Sequence, residues 1–119
     1  MIILMKESII AQKSFQFSLR IITLYKQLLS ENEYIISKQV LRSATSIWAN
    51  VEEALAGQSK KDFIHKMSIA SKEARETRYR LHLLQESELT SLDTSLYLRE
   101  NEELINIIVK IIKTSQSNL

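Results

Sequence analysis

Cysteine and proline are both missing from the 119 residues, and glycine occurs once, at Gly57. The first absence excludes disulfide scaffolds, zinc ribbons, thiol redox chemistry and thiolate nucleophiles together. The other two starve the chain of turns, since average usage would supply about 6 prolines and 8 glycines at this length. A sandwich or barrel needs a turn signal about every 8 to 12 residues, and a doubly wound sheet leans on glycine-bearing loops, so a few long helices remain. Charge of one sign is scarce as well. With 16 Lys+Arg against 14 Asp+Glu the net charge is +2, which announces neither nucleic acid nor membrane by bulk charge. No apolar run reaches the roughly 18 residues of a membrane span. The opening Met1 to Met5 is shorter than the roughly 7 to 15 residues of a signal-peptide core and has no basic residue before it. A soluble, cytoplasmic protein is expected, with Met1 or Met5 as its natural start.

Polar clusters supply what punctuation there is. Ser30-Glu31-Asn32-Glu33, Gly57-Gln58-Ser59 and the stretch from Ser87 to Ser95 separate four segments, so helices are predicted over about 7 to 29, 34 to 55, 60 to 86 and 95 to 115. Gly57 falls where a helix C-cap is wanted, and Ser59 is a good N-cap with Asp62 three residues on. One domain, residues 1–119, accounts for the chain, and its class is all-α, an antiparallel four-helix bundle.

Apolar spacing identifies the inner faces. In the third helix Phe63, Met67, Ala70, Ala74, Thr77, Leu81 and Leu84 step by 4 and 3, and in the second Val40, Ala44, Ile47, Val51 and Ala54 do the same. The first helix carries two stripes, Ile10, Phe17, Ile21, Leu24, Leu28 beside Phe15, Ile22, Tyr25, Leu29. In the fourth, seven of the nine residues from Leu104 to Ile112 are apolar. Such wide arcs favour a subunit interface. Trp48, the only tryptophan, flanks the second seam and is expected to be largely buried against a second neighbour.

Opposite the third seam stand Lys61, His65, Ser68, Lys72, Arg75, Tyr79 and His82, a basic stripe with an aromatic. Cations about one turn apart can meet successive phosphates, and an aromatic face can stack an unpaired base. The plain alternative is a solvated outer face. Along one edge of the second helix, Arg42, Ser46, Asn50 and Glu53 need polar partners, which Glu73, Glu76 or Arg78 would supply as a structural network. As a catalytic set these carboxylates lack a nucleophile or metal-binding histidine and define no reaction class. No Glu is followed three residues later by His, and His65 and His82 have no acidic ligand on their own stripe, so neither metal nor cofactor is expected. No phosphate-binding or dinucleotide fingerprint occurs.

The stretch Leu41 to Leu84 resembles the bacterial four-helix-bundle family named after proteins encoded in intervening sequences of 23S ribosomal RNA genes. The likeness rests on Arg42, Ser46-Ile47, Asn50, Glu53 and Ala54, then Ser59-Lys60-Lys61-Asp62-Phe63, then Ile69-Ala70 and Glu73-Ala74-Arg75-Glu76-Thr77-Arg78-Tyr79. The MKES opening at Met5 and the Phe15, Phe17 pattern are similar to the family too, while Trp48 stands where it tends to have a small residue. The resemblance implies an up-down-up-down bundle, a homopentameric ring, and no established enzymatic activity. Relatives among the accessory proteins of diversity-generating retroelements bind nucleic acid and a reverse transcriptase, which would make Lys61, Lys72, Arg75 and Arg78 phosphate contacts beside Tyr79. The expected function is therefore a non-enzymatic homo-oligomeric scaffold on RNA or DNA backbones. An oligomeric adaptor for another protein is the alternative.

Overall fold

A computed structural model of the protein describes the backbone of residues 2–117 and the side chains of residues 9–117. Four helices follow one another, α1 (Ile2–Ser30), α2 (Ile36–Leu55), α3 (Lys60–Ser87) and α4 (Ser95–Ser117). The last three lie within two residues of their predicted bounds, whereas α1 starts five residues early because the apolar opening continues the helix. Among the described residues there is no strand.

Each helix lies beside two others, α1 beside α2 and α4, α3 beside α2 and α4, and among the described residues the backbones do not come close across either diagonal. Ion pairs give the direction. Arg42 meets Glu76 while Glu53 meets Lys66, and Arg20 meets Glu100 while Lys13 meets Glu103, so one partner's number rises as the other's falls. α2 and α3, and likewise α1 and α4, therefore run antiparallel in a bundle 47 × 20 × 18 Å. The first-helix stripe from Ile10 to Leu28 and the second-helix seam are wholly buried, as is the third apart from the half-buried Phe63. In α4, Leu104, Ile105, Ile108 and Ile111 join this core, and Ile107, Val109 and Ile112 pack at its margin. A helix held between two neighbours needs a broad apolar arc, and that accounts for much of α4.

The helix ends show what replaces glycine and proline. Asn32, at φ 65°, ends α1 in the left-handed region, and the Glu33 amide reaches back 2.9 Å to the Leu28 carbonyl. Glu33 then folds its carboxylate over the start of α2, accepting from the amides of Ile35 (3.2 Å), Ile36 (2.9 Å) and Ser37 (2.6 Å). Burial pushes this carboxyl up, but the hydrogen bonds from Ser37, Ile36 and Ile35 together outweigh it and hold it below the usual carboxylate range. Glu88, at φ 60°, likewise ends α3 in the left-handed region.

Gly57 departs from the sequence-based expectation. It does not adopt a positive φ; α2 ends at Ala56 with φ −88°. Space is tight there instead, since an added Cβ would lie 3.1 Å from the Ala54 carbonyl oxygen. Ser59 caps α3 as predicted, its hydroxyl accepting from the Asp62 amide at 3.1 Å. Before α4, Asp93 accepts from the Ser95 amide at 2.9 Å, and that hydrogen bond lowers the Asp93 carboxyl below its ordinary value.

Candidate nucleic-acid interface

Burying the α3 seam fixes the opposite side of the helix. Lys61, His65, Ser68, Lys72, Arg75, Tyr79 and His82 are all exposed. Lys61, Lys72 and Arg75 form no ion pair among the described residues, so their charge is turned to solvent uncompensated. Tyr79 is 52% exposed, and the Arg80 guanidinium stands 5.5 Å from its ring centroid. One face of the ring is thus occupied by a cation. Arg78 stands apart from the others. It faces α4, where Nη1 lies 2.9 Å from Glu102 Oε2, and its charge is engaged there.

The polar edge of α2 divides into three arrangements. Arg42 reaches across to α3, with Nη2 3.2 Å from Glu76 and Nη1 3.6 Å from Glu73. Arg80 continues this chain, 3.7 Å from Glu76, and also donates to the Gln39 carbonyl at 3.0 Å. Glu53 pairs separately with Lys66 at 3.5 Å. Ser46 and Asn50 join neither, because each hydrogen-bonds its own helix: the Ser46 hydroxyl donates to the Arg42 carbonyl and the Asn50 amide to the Ser46 carbonyl. The Arg42 side chain is 57% exposed, so its two ion pairs contribute about 1 kcal/mol or less between them after screening. Their effect is to hold the guanidinium and both carboxylates on the α2–α3 seam and away from the basic stripe.

A cleft of about 310 Å³ between α3 and α4 adds a residue to the stripe that periodicity on α3 alone misses. Arg75 and Ser71 of α3 line it together with Val109, Ile112, Lys113 and Gln116 of α4. Lys113 is exposed and forms no ion pair among the described residues. The signal for it in the sequence is the spacing of Val109, Lys113 and Gln116 by 4 and 3, which sets them on one face of α4. A larger groove, about 500 Å³, runs between α1 and α4, but its Lys13 and Arg20 are paired with Glu103 and Glu100. No three His, Cys, Asp or Glu side chains among the described residues gather as a metal site would require, and no helix is long and apolar enough to cross a membrane.

Apolar exposure lies elsewhere. On the outside of the α1–α2 pair, Phe15 (41% exposed) and Trp48 meet with ring centroids 5.2 Å apart at 53°. Trp48 is half-buried, and the second neighbour expected for it is α1, because its position on the flank of the α2 seam places it at the rim between the two helices. Leu19, one turn beyond Phe15, is 44% exposed.

Comparison with curated proteins gives no match. Among solved structures, a protein of unknown function from the S23 ribosomal protein family of Bacteroides thetaiotaomicron has the same fold. Its TM-score is 0.87 at 42% sequence identity, over 91% of this chain and 98% of that one. The sequence profile of the 23S rRNA-intervening sequence proteins matches residues 6–113, which takes in all four helices, and on that span the chain belongs to this family.

Proposed function

We propose that the protein is a non-enzymatic, homo-oligomeric helical scaffold that binds the backbone of RNA or DNA in the cytoplasm through the outer face of α3. The observation that carries this reading is the set Lys61, Lys72 and Arg75, exposed and unpaired on one helix face, with Tyr79 exposed beside them. Cations free of carboxylates release counterions when they meet phosphates, and that release is the main source of sequence-independent affinity. A net charge of +2 makes the effect small for one subunit, and a ring of five subunits multiplies it. The exposed Phe15 and Leu19, with Trp48, are the surface on which such a ring closes.

Replacing Lys61, Lys72 and Arg75 together with Glu tests the reading. Retention on immobilised RNA, steeply lost between low and moderate salt for the wild type, disappears in the triple variant while helicity and assembly size stay the same. Undiminished retention overturns it.

A protein-adaptor reading has its own support in Tyr34 and Ile35, 58% and 69% exposed at the start of α2 beside Lys38 and Arg42. A reverse transcriptase is the partner class that the family resemblance suggests. Indifference to nucleic acid at low salt favours this reading over the first.

A further inference from the structure

We propose that the α3–α4 cleft seats one phosphate of a single-stranded nucleic acid between Arg75 and Lys113, with the attached base stacked on Tyr79. The inference rests on the nucleic-acid reading above and adds a second helix, a ligand geometry and a strand preference to it.

Three features of the cleft converge. Arg75 and Lys113 come from different helices and neither is neutralised, whereas Arg78, only three residues from Arg75, is paired with Glu102 at 2.9 Å. The Ser71 hydroxyl, which opens on the same cleft, has no hydrogen-bond partner among the described residues. A helical serine commonly donates to the carbonyl one turn back, as Ser68 does to Ile64 at 2.8 Å. A guanidinium, an ammonium, a free hydroxyl and the Gln116 amide make a set rich in donors, which suits an oxyanion with several acceptor oxygens. The half-buried Val109 and Ile112 complete the lining with an apolar part, and the exposed cations keep the cleft open to a ligand from solvent.

Size and spacing indicate the strand. The cleft, at about 310 Å³, lies at the small end of the roughly 300 to 1,000 Å³ typical of ligand sites. Tyr79 is one turn beyond Arg75, about 6 Å along the axis, within reach of the base carried by a phosphate held there. Arg80 covers one side of the ring, and the rest is exposed. That leaves a one-sided platform for an unpaired base; bases inside a duplex are already stacked and have no free face.

The test uses the full chain and fluorescence anisotropy with a labelled twelve-nucleotide oligothymidylate and a blunt duplex of the same length, over a salt series. The wild type binds the single strand more tightly. Lys113→Glu weakens that binding by about tenfold and reduces the log–log salt slope by about 0.7, the share of one phosphate contact on a single strand. Lys110→Glu makes the same charge change at an exposed position of α4 outside the cleft, and shifts affinity by less than about twofold. Tyr79→Ala weakens the single strand and spares the duplex. Equal losses for Lys113→Glu and Lys110→Glu overturn the seat in favour of diffuse charge, and equal affinity for both strands overturns the stacking role. If the wild type binds no oligonucleotide, the nucleic-acid reading itself falls. Binding that survives Lys113→Glu but is lost in the Lys61, Lys72, Arg75 triple variant removes only the seat.

Discussion

The hydroxyls of Ser43 on α2 and Thr77 on α3 lie 2.8 Å apart, both completely buried, in the seam where alanines bring the two helices together. Thr77 is also 2.9 Å from the Glu73 carbonyl, so one hydroxyl can donate to that carbonyl while accepting from the other. Thr77→Val preserves shape and removes this link, leaving Ser43 with only the Val40 carbonyl at 3.4 Å. A buried donor left with so long a contact costs part of the roughly 1 to 3 kcal/mol that a fully unpartnered one would cost. Urea denaturation should show Thr77→Val losing stability by up to that amount. The double variant Ser43→Ala/Thr77→Val should lose less than the sum of the single changes, since neither hydroxyl is then left unpartnered.

A second prediction concerns acid. Glu33 is held below its ordinary carboxylate range in the folded protein, so the stability it contributes is fully present above its unfolded value, about 4.3, and is lost as pH falls through the folded one. Glu33→Gln keeps one acceptor oxygen and loses the charge at the α2 N-terminus. By the measure of other N-caps it costs about 0.5 to 2 kcal/mol at pH 7. The difference from wild type narrows below pH 4.5 in parallel denaturation series. A gap that is the same at pH 3 and pH 7 would show that charge plays no part in the cap.

Gly57 offers a steric test. Its φ is one that any L residue accepts, so Gly57→Ala incurs no left-handed strain and gains about 0.4 to 1 kcal/mol from a less flexible unfolded chain. Against that, the new Cβ meets the Ala54 carbonyl oxygen at 3.1 Å, an oxygen already fixed by the Gly57 amide at the same distance. The contact should outweigh the entropic gain and lower the melting temperature. A rise would mean that the α2 terminus relaxes freely.

The seams of α1, α2 and α3 were legible in the sequence because burial repeats every 3 or 4 residues and a handful of apolar positions fixes the phase. The outward placement of Lys61, Lys72, Arg75 and Tyr79 follows from that same phase. What escaped is whatever depends on a second helix or on a reversal of the chain. Nothing in the spacing of Arg78 says that Glu102 stands opposite it, and Lys113 joins Arg75 only because α3 and α4 are aligned side by side. Glu33 reads as part of a polar break, yet the left-handed Asn32 turns it back over the α2 amides. Trp48 is covered to the extent that the neighbouring helix offers a partner, and that partner is Phe15, itself exposed, which the α2 spacing alone does not name.

That pair at the rim leads to the last prediction. Phe15 and Leu19 project from α1 next to Trp48, an apolar surface that no element among the described residues covers. If it is where subunits meet, the protein sediments well above 13.8 kDa at micromolar concentration, and the Trp48 emission moves to the red on dilution. Phe15→Glu with Leu19→Glu should then yield a helical species near 13.8 kDa whose emission no longer depends on concentration. Both side chains lie outside the core, so most of the fold's stability survives the change. A wild type that remains monomeric removes the interface and the ring with it. An oligomer that tolerates both substitutions, with Trp48 emission indifferent to dilution, moves the contact to another surface, and Tyr34 and Ile35 are then the next side chains to replace.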